Sequence, residues 1–145
     1  MSILFTDREL KRAWRQLTKT SQPPNNAKRE NTHRLLLFYA VECGLKVIWL
    51  KDKSKTLFTK DDIRQTGHDL AKTLTLLKAG HQLELPINIQ LADVRAGDGA
   101  MLPRHGGLES LHEVWRYGGE CQAPEDTVCE QQLERVLEWI NGELR

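Results

Sequence analysis

Aromatic and sulfur-bearing residues are scarce in this chain. Its 145 residues include 2 Tyr, 3 Phe, 4 Trp, 3 Cys and 2 Met. No apolar run approaches the roughly 18–20 residues of a membrane-spanning helix, so no membrane association is expected. The start, Met1-Ser2-Ile3-Leu4-Phe5-Thr6-Asp7, has no basic stretch followed by a long apolar core and does not read as a secretory leader. Three cysteines, an odd and widely spaced set, give no disulfide framework, and a reducing cytoplasm is the expected setting. Cys43 falls in an apolar helical stripe. Cys121 and Cys129 could pair, or bind zinc with His105 and His112, but their spacing fits no common zinc pattern and no metal site is assigned. Phosphate loop, Gly-x-Gly-x-x-Gly, Gly-x-Ser-x-Gly and Cys-x-x-Cys are all missing, which removes the commonest nucleotide-binding, hydrolase and thiol-redox signatures and leaves no cofactor implied. No repeat, low-complexity tract or linker divides residues 1–145, and the length suits one domain with its own core.

What is present is charge, unevenly placed. The net charge is only +1. Residues 1–60 nevertheless hold 13 Lys and Arg against 5 Asp and Glu, and residues 61–145 hold 8 against 15. The basic residues cluster at Arg8, Lys11, Arg12, Arg15, Lys19, Lys28, Arg29 and Arg34, and again at Lys51, Lys53, Lys55 and Lys60. Three readings fit: a phosphate-binding face, association of the basic half of one copy with the acidic half of another, or solvated helix faces that neutralise each other within the fold.

The hydrophobic pattern is mainly helical. Thr6 with Glu9 three residues on forms a capping box, after which Leu10, Ala13, Trp14 and Leu17 make one apolar face. Pro23-Pro24 breaks that helix. A second helix is predicted from about Ala27 to Leu50, polar at first and apolar nearly all round from Leu35, so that it is the central one. Gly44 within it suggests a close helix–helix approach, and Glu42 with Lys46 is an ion pair in the favourable order. Such a pair inside an apolar helix has to sit at the bundle edge or serve a site. Asp52–Thr56 is a polar loop, and Thr59–Asp62 opens a short helical turn. Thr66-Gly67-His68-Asp69 reads as a cap, with Thr66 as the capping residue, before a helix that buries Leu70, Leu74 and Leu77 and ends at Gly80.

Residues 81–107 read as an irregular insertion in which Leu85–Leu91 alternates like a strand without an evident partner. A helix follows over Leu108–Tyr117. A last one opens at Pro124-Glu125-Asp126, buries Cys129, Leu133, Val136, Leu137 and Ile140, and stops at Asn141-Gly142. The expected fold is therefore all-α, a compact bundle of about five helices interrupted at about 81–107. Trp14, Trp49, Trp115 and Trp139 fall at core spacing rather than forming a base-stacking platform. The central helix is too apolar to enter a DNA groove.

Three short segments carry a family resemblance: Ala40-Val41-Glu42-Cys43-Gly44-Leu45-Lys46, the helix start His68-Asp69-Leu70, and Arg116-Tyr117. Over roughly residues 25–120 the chain resembles the HEPN superfamily of helical domains. Members are compact bundles that often form homodimers. Many are metal-independent RNases of toxin–antitoxin, CRISPR-linked and phage-defence systems. Others bind nucleotides or partner a minimal nucleotidyltransferase. The resemblance implies a small subunit of a prokaryotic defence or toxin–antitoxin system that binds RNA or a nucleotide, a partner protein, or both, as a homodimer or in a hetero-complex. Two alternatives are an active metal-independent endoribonuclease and a pure protein-interaction module.

The RNase members place a His after an Arg with four to six residues between. This chain departs from that pattern. Arg29–His33 and Arg64–His68 have three residues between, Arg104–His112 has seven, and no His follows Arg116. The residues themselves supply other candidates. His112 and Arg116 share one face of a helix, flanked by Glu109 and Glu113, pairing a proton-transfer group with a phosphate-binding guanidinium. His105 is a further catalytic candidate. Arg116 with Tyr117 suits a phosphate and a stacked base. Arg104, Arg12, Arg15 and Lys19 are the remaining candidates for RNA or nucleotide contact. Glu42, Lys46, His68 and Asp69 are expected to support the helix packing.

Overall fold

The computed structural model describes residues 3–80, 83, 85–86 and 88–145. Part of the predicted alternating segment, at residue 87, and residues 81, 82 and 84 of the predicted insertion lie outside these.

A two-residue strand β1 (Phe5–Thr6) leads into helix α1 (Asp7–Thr20). The capping box is formed: Thr6 accepts from the Glu9 backbone N–H, and the Glu9 carboxylate accepts from the Thr6 N–H at 3.0 Å. A cap of this kind stabilises a helix by about 1 kcal/mol. The prolines give a single 3₁₀ turn at Pro24–Asn26. The central helix α2 then runs over Asn31–Asp52. It begins later than predicted because Ala27 and Glu30 are extended, with Glu30 in the capping position. Strand β2 (Leu57–Phe58) returns to pair antiparallel with β1, placing Phe5 opposite Phe58.

Two short helices follow, α3 (Lys60–Thr66) and α4 (Leu70–Leu76). The predicted cap between them is shifted. Thr66 is the last residue of α3, and the cap of α4 is Asp69, whose carboxylate accepts from the Lys72 N–H at 3.0 Å. Gly67, with φ of 56° and ψ of −141°, makes the turn between them, a conformation open in practice only to glycine. Helix α4 ends at Leu76, ahead of the predicted Gly80, with Lys78 left-handed just beyond.

The largest departure from expectation follows. The fold is mixed rather than all-α. Strands β3 (Asn88–Arg95) and β4 (Met101–Gly107) form an antiparallel hairpin across the Ala96–Gly99 turn. The alternating segment does have a partner, which the sequence hides: Met101-Leu102-Pro103-Arg104-His105-Gly106-Gly107 has a proline and two glycines and none of the usual strand formers. The proline sits at a register break, where Ala92 and Asp93 lie between the pairs Leu91–Arg104 and Val94–Leu102. Pro103 has no N–H to donate there. The Arg104 side chain donates to the Ala92 carbonyl instead, at 2.9 Å.

A 3₁₀ turn at Leu108–Ser110 and helix α5 (Leu111–Arg116) occupy the predicted helical stretch, and α6 (Asp126–Glu143) closes the chain. Six α-helices are thus present among the described residues, not five. The main core is built by Leu37, Phe38 and Val41 of α2 against Leu111 and Trp115 of α5 and Ile140 of α6. A smaller cluster gathers Leu10, Val47, Trp49, Leu50 and Phe58 where β1, β2 and α1 meet α2. Gly44 is a point of close approach, as its helix position suggested. A Cβ there would lie 2.7 Å from Ile140 Cγ2 and 3.0 Å from Trp14 Cδ1, so α1 and α6 both rest on this point of α2.

Two buried carboxylates are tied to buried indoles. Trp49 donates to Asp62 at 3.0 Å and Trp115 donates to Asp126 at 2.9 Å. Asp62 also accepts from Lys55 and from the backbone and hydroxyl of Thr59. Burial alone would raise its carboxyl, but these hydrogen bonds outweigh burial and hold it well below the usual carboxylate range.

Candidate functional site

The side of α2 opposite Gly44 carries Tyr39, Glu42 and Lys46, as the roughly 100° per residue of an α-helix requires. Glu42 is buried, and its expected pair forms: Lys46 Nζ lies 3.3 Å from Glu42 Oε1. The same oxygen is 2.8 Å from Nδ1 of His68, delivered by the turn at Gly67. The His68 side chain is itself 72 % exposed. Since a carboxylate only accepts, Nδ1 is the donor, and in the neutral ring Nε2 carries the lone pair.

Helix α5 supplies the other half of the cluster. The His112 ring packs against Phe38, 5.6 Å between centroids, and Tyr39, 6.4 Å, and lies 6.3 Å from the His68 ring. Its Nδ1 is buried without a partner among the described residues, and its Nε2 lies 3.9 Å from Glu113. One turn later Arg116 donates to the Tyr39 hydroxyl. That bond favours the charged guanidinium and raises its already high pKa further. Arg116 remains exposed, with its guanidinium 5.9 Å from the centre of the Tyr117 ring, and Tyr117 is 76 % exposed. Tyr39, Glu42, His68, His112 and Arg116 therefore form one continuous polar cluster drawn from three parts of the chain.

The remaining predicted residues lie elsewhere. Arg104 and His105 are exposed on β4, opposite Leu91 and Gln90, and Arg104 is engaged in the bulge. No hydrogen bond, ion pair or ring contact of the described residues links them to His112 or Arg116. Arg12, Arg15 and Lys19 are exposed on α1, which packs by Trp14 on the Gly44 side of α2, away from the cluster. Lys46 pairs with Glu42, and Asp69 caps α4 in place of the expected Thr66. Glu109 and Glu113 are exposed on the turns bearing His112.

Sequence reading missed Tyr39 as the partner of Arg116 and left His68 outside the reactive set. Glu42 was the available signal, a carboxylate on an apolar helix that needs compensating partners. Its partner His68 is 26 positions away, and no local pattern connects the two.

Part of the basic N-terminal half is internal. Arg29, only 9 % exposed, pairs with Glu134, and Arg34 pairs with Glu130 and Asp126, so both are ties between the start of α2 and α6 rather than a phosphate surface. Beside them open clefts of about 560 and 240 Å³ share Arg34, Glu120 and Asp126 as lining residues. Cys121 and Cys129 are both buried free thiols, and Cys129 Sγ lies 3.8 Å from the Pro124 carbonyl oxygen. The neighbouring Cys129 and burial together raise the Cys121 pKa. Among the described residues no group of three His, Cys, Asp or Glu side chains is placed to hold a metal ion, and no helix is long and apolar enough to cross a membrane. No protein-family model, curated protein or solved structure matches the chain.

Proposed function

We propose that this chain is a HEPN-like RNA-directed protein of the prokaryotic defence or toxin–antitoxin kind, and that the α2–α5 cluster cleaves RNA without a metal. One observation carries the reading: two imidazoles from separate elements lie 6.3 Å apart, one held by a buried carboxylate and the other one helical turn before an exposed guanidinium. With the His68 Nδ1–H fixed on Glu42, its Nε2 takes the proton of an RNA 2′-hydroxyl. The 2′-oxygen then attacks the adjacent phosphorus. The P–O5′ bond breaks, leaving a 2′,3′-cyclic phosphate, and protonated His112 supplies the proton the 5′-oxygen needs. Arg116 offsets charge on the non-bridging oxygens. The family resemblance supports this reading through the helices alone, with the hairpin as an insertion between α4 and α5.

The test is metal-free incubation with labelled tRNA and single-stranded RNA, beside His68→Ala and the double variant His112→Ala/Arg116→Ala. Cyclic-phosphate ends made by the wild type and lost in the folded variants are the expected result. Equal cleavage by all three proteins overturns the assignment. A second reading, binding of RNA or a nucleotide without chemistry, is favoured by the exposed Tyr117 beside Arg116, which suits a stacked base next to a held phosphate. Wild-type binding that is lost in Arg116→Ala, with no cleavage product, selects it.

A further inference from the structure

The exposed face of α1 is a straight row of cations. Arg8, Arg12, Arg15 and Lys19 stand at intervals of four, three and four residues, which puts all four within about 60° around the helix and spreads them over about 16 Å of its length. All four are exposed, and none takes part in an ion pair among the described residues. The helix buries Leu10 and Trp14 on its opposite side, so the row points straight away from the core. It is also remote from the α2–α5 cluster, because α1 rests on the Gly44 side of α2 and the cluster occupies the other.

We infer that this row is a docking surface for the phosphate backbone of a double-helical RNA segment, read without regard to sequence. The inference rests on the RNA-directed reading above for the choice of RNA, and goes beyond it in assigning a second surface. The company the cations keep decides the kind of partner. Interface cores between proteins are apolar and rich in aromatics, whereas the exposed neighbours on α1 are polar: Gln16, Thr20, and Glu9, whose carboxylate is engaged in the Thr6 cap. Single strands are held by aromatic platforms beside a basic groove; no aromatic side chain of α1 is exposed, and Phe5, just before the helix, is one half-exposed ring and no platform. An unpaired row of positive charge with neither feature suits a rod of phosphates, where counterion release supplies the affinity and duplex RNA is met through its backbone.

The experiment measures affinity for an RNA hairpin with a long stem, for unstructured RNA and for polyglutamate, between 50 and 200 mM salt. The proteins are the wild type, Arg12→Glu/Arg15→Glu, the cluster variant His112→Ala/Arg116→Ala and the two combined. Circular dichroism controls the fold, and Arg12→Gln/Arg15→Gln serves as the milder pair. The expected result is stem binding weakened at least tenfold by Arg12→Glu/Arg15→Glu. The slope of log affinity against log salt should fall by about one for each cation removed. Combined with the cluster variant, Arg12→Glu/Arg15→Glu should weaken stem binding by the same factor as it does in the wild type, because the two surfaces act independently. Unchanged stem binding in the α1 variants overturns the inference. So does polyglutamate or unstructured RNA bound as tightly as the stem and lost in the same variants. Absent cleavage with stem binding intact is failure of the catalytic reading alone. Cleavage retained with no stem binding is failure of this inference alone.

Discussion

Nδ1 of His68 sits 2.8 Å from Oε1 of Glu42, so an exposed imidazole takes its orientation from a carboxylate buried in the central helix. Glu42→Gln keeps the shape of that contact and removes its charge. Under the proposed chemistry the cleavage rate falls while RNA affinity stays near wild type, because Arg116 and Tyr117 are untouched. His112→Ala costs more, about 10² to 10⁴ in rate, as expected for loss of a positioned proton donor. Single-turnover cleavage beside equilibrium binding checks both. Equal losses of rate and affinity in Glu42→Gln contradict the assigned role.

Asp62 makes stability depend on acid. Its folded-state carboxyl is held below the ordinary range near pH 4, so its contribution is complete above that range, begins to fall there and is lost as the pH drops towards the lower folded-state value. Urea unfolding at pH 7, 4.5 and 3.5 should show the wild type losing stability at the lowest value. Asp62→Asn should be less stable at pH 7 by about 1–3 kcal/mol and less sensitive to acid. An unchanged acid profile in the variant removes Asp62 from the account.

Gly44→Ala sets two effects against each other. Helix propensity favours alanine by about 1 kcal/mol. The new methyl group would meet Ile140 Cγ2 at 2.7 Å, an overpacking that costs about 1–3 kcal/mol. The clash should win, and Ile140→Ala should absorb it, so that the double variant is more stable than the sum of the single changes predicts. Strict additivity shows that α6 does not press on this point.

The three thiols should resist alkylation in the native protein. Burial pushes the Cys43 thiol up to about 11, with the neighbouring Glu42 charge adding to it, so it stays protonated at neutral pH. Cys121 and Cys129 are enclosed in the core. Iodoacetamide at pH 7.5 should label none of them quickly and all three after unfolding, as mass spectrometry will record. Rapid native labelling of Cys129 would show that the start of α6 opens readily.

Local chemistry written in neighbouring residues was legible in the sequence. The Thr6–Glu9 box, the start of α3 at Thr59, the Glu42–Lys46 pair, the close approach at Gly44 and the buried face of α6 each depend on residues a few positions apart. Strand β4 was not legible, because its ladder bonds are backbone bonds that a sequence of Pro, Arg, His and Gly does not advertise. The cap before α4 was misplaced by three residues because Thr66 and Asp69 are both good capping residues, and only the turn at Gly67 decides between them. Half of the site was visible as the His112–Arg116 spacing. The other half depends on how α2 and α5 pack.

Trp49 and Trp115 stand in different clusters of the interior, each with its indole N–H bonded to an aspartate that is itself buried. Each N–H exchanges with solvent only when its own surroundings open, so the two protons act as separate clocks in one molecule. Matching exchange rates would mean that the region where β1, β2 and α1 meet α2 comes apart together with the rest. A faster rate at Trp49 would mean that α3 parts from α2 first, while the core around α5 stays intact.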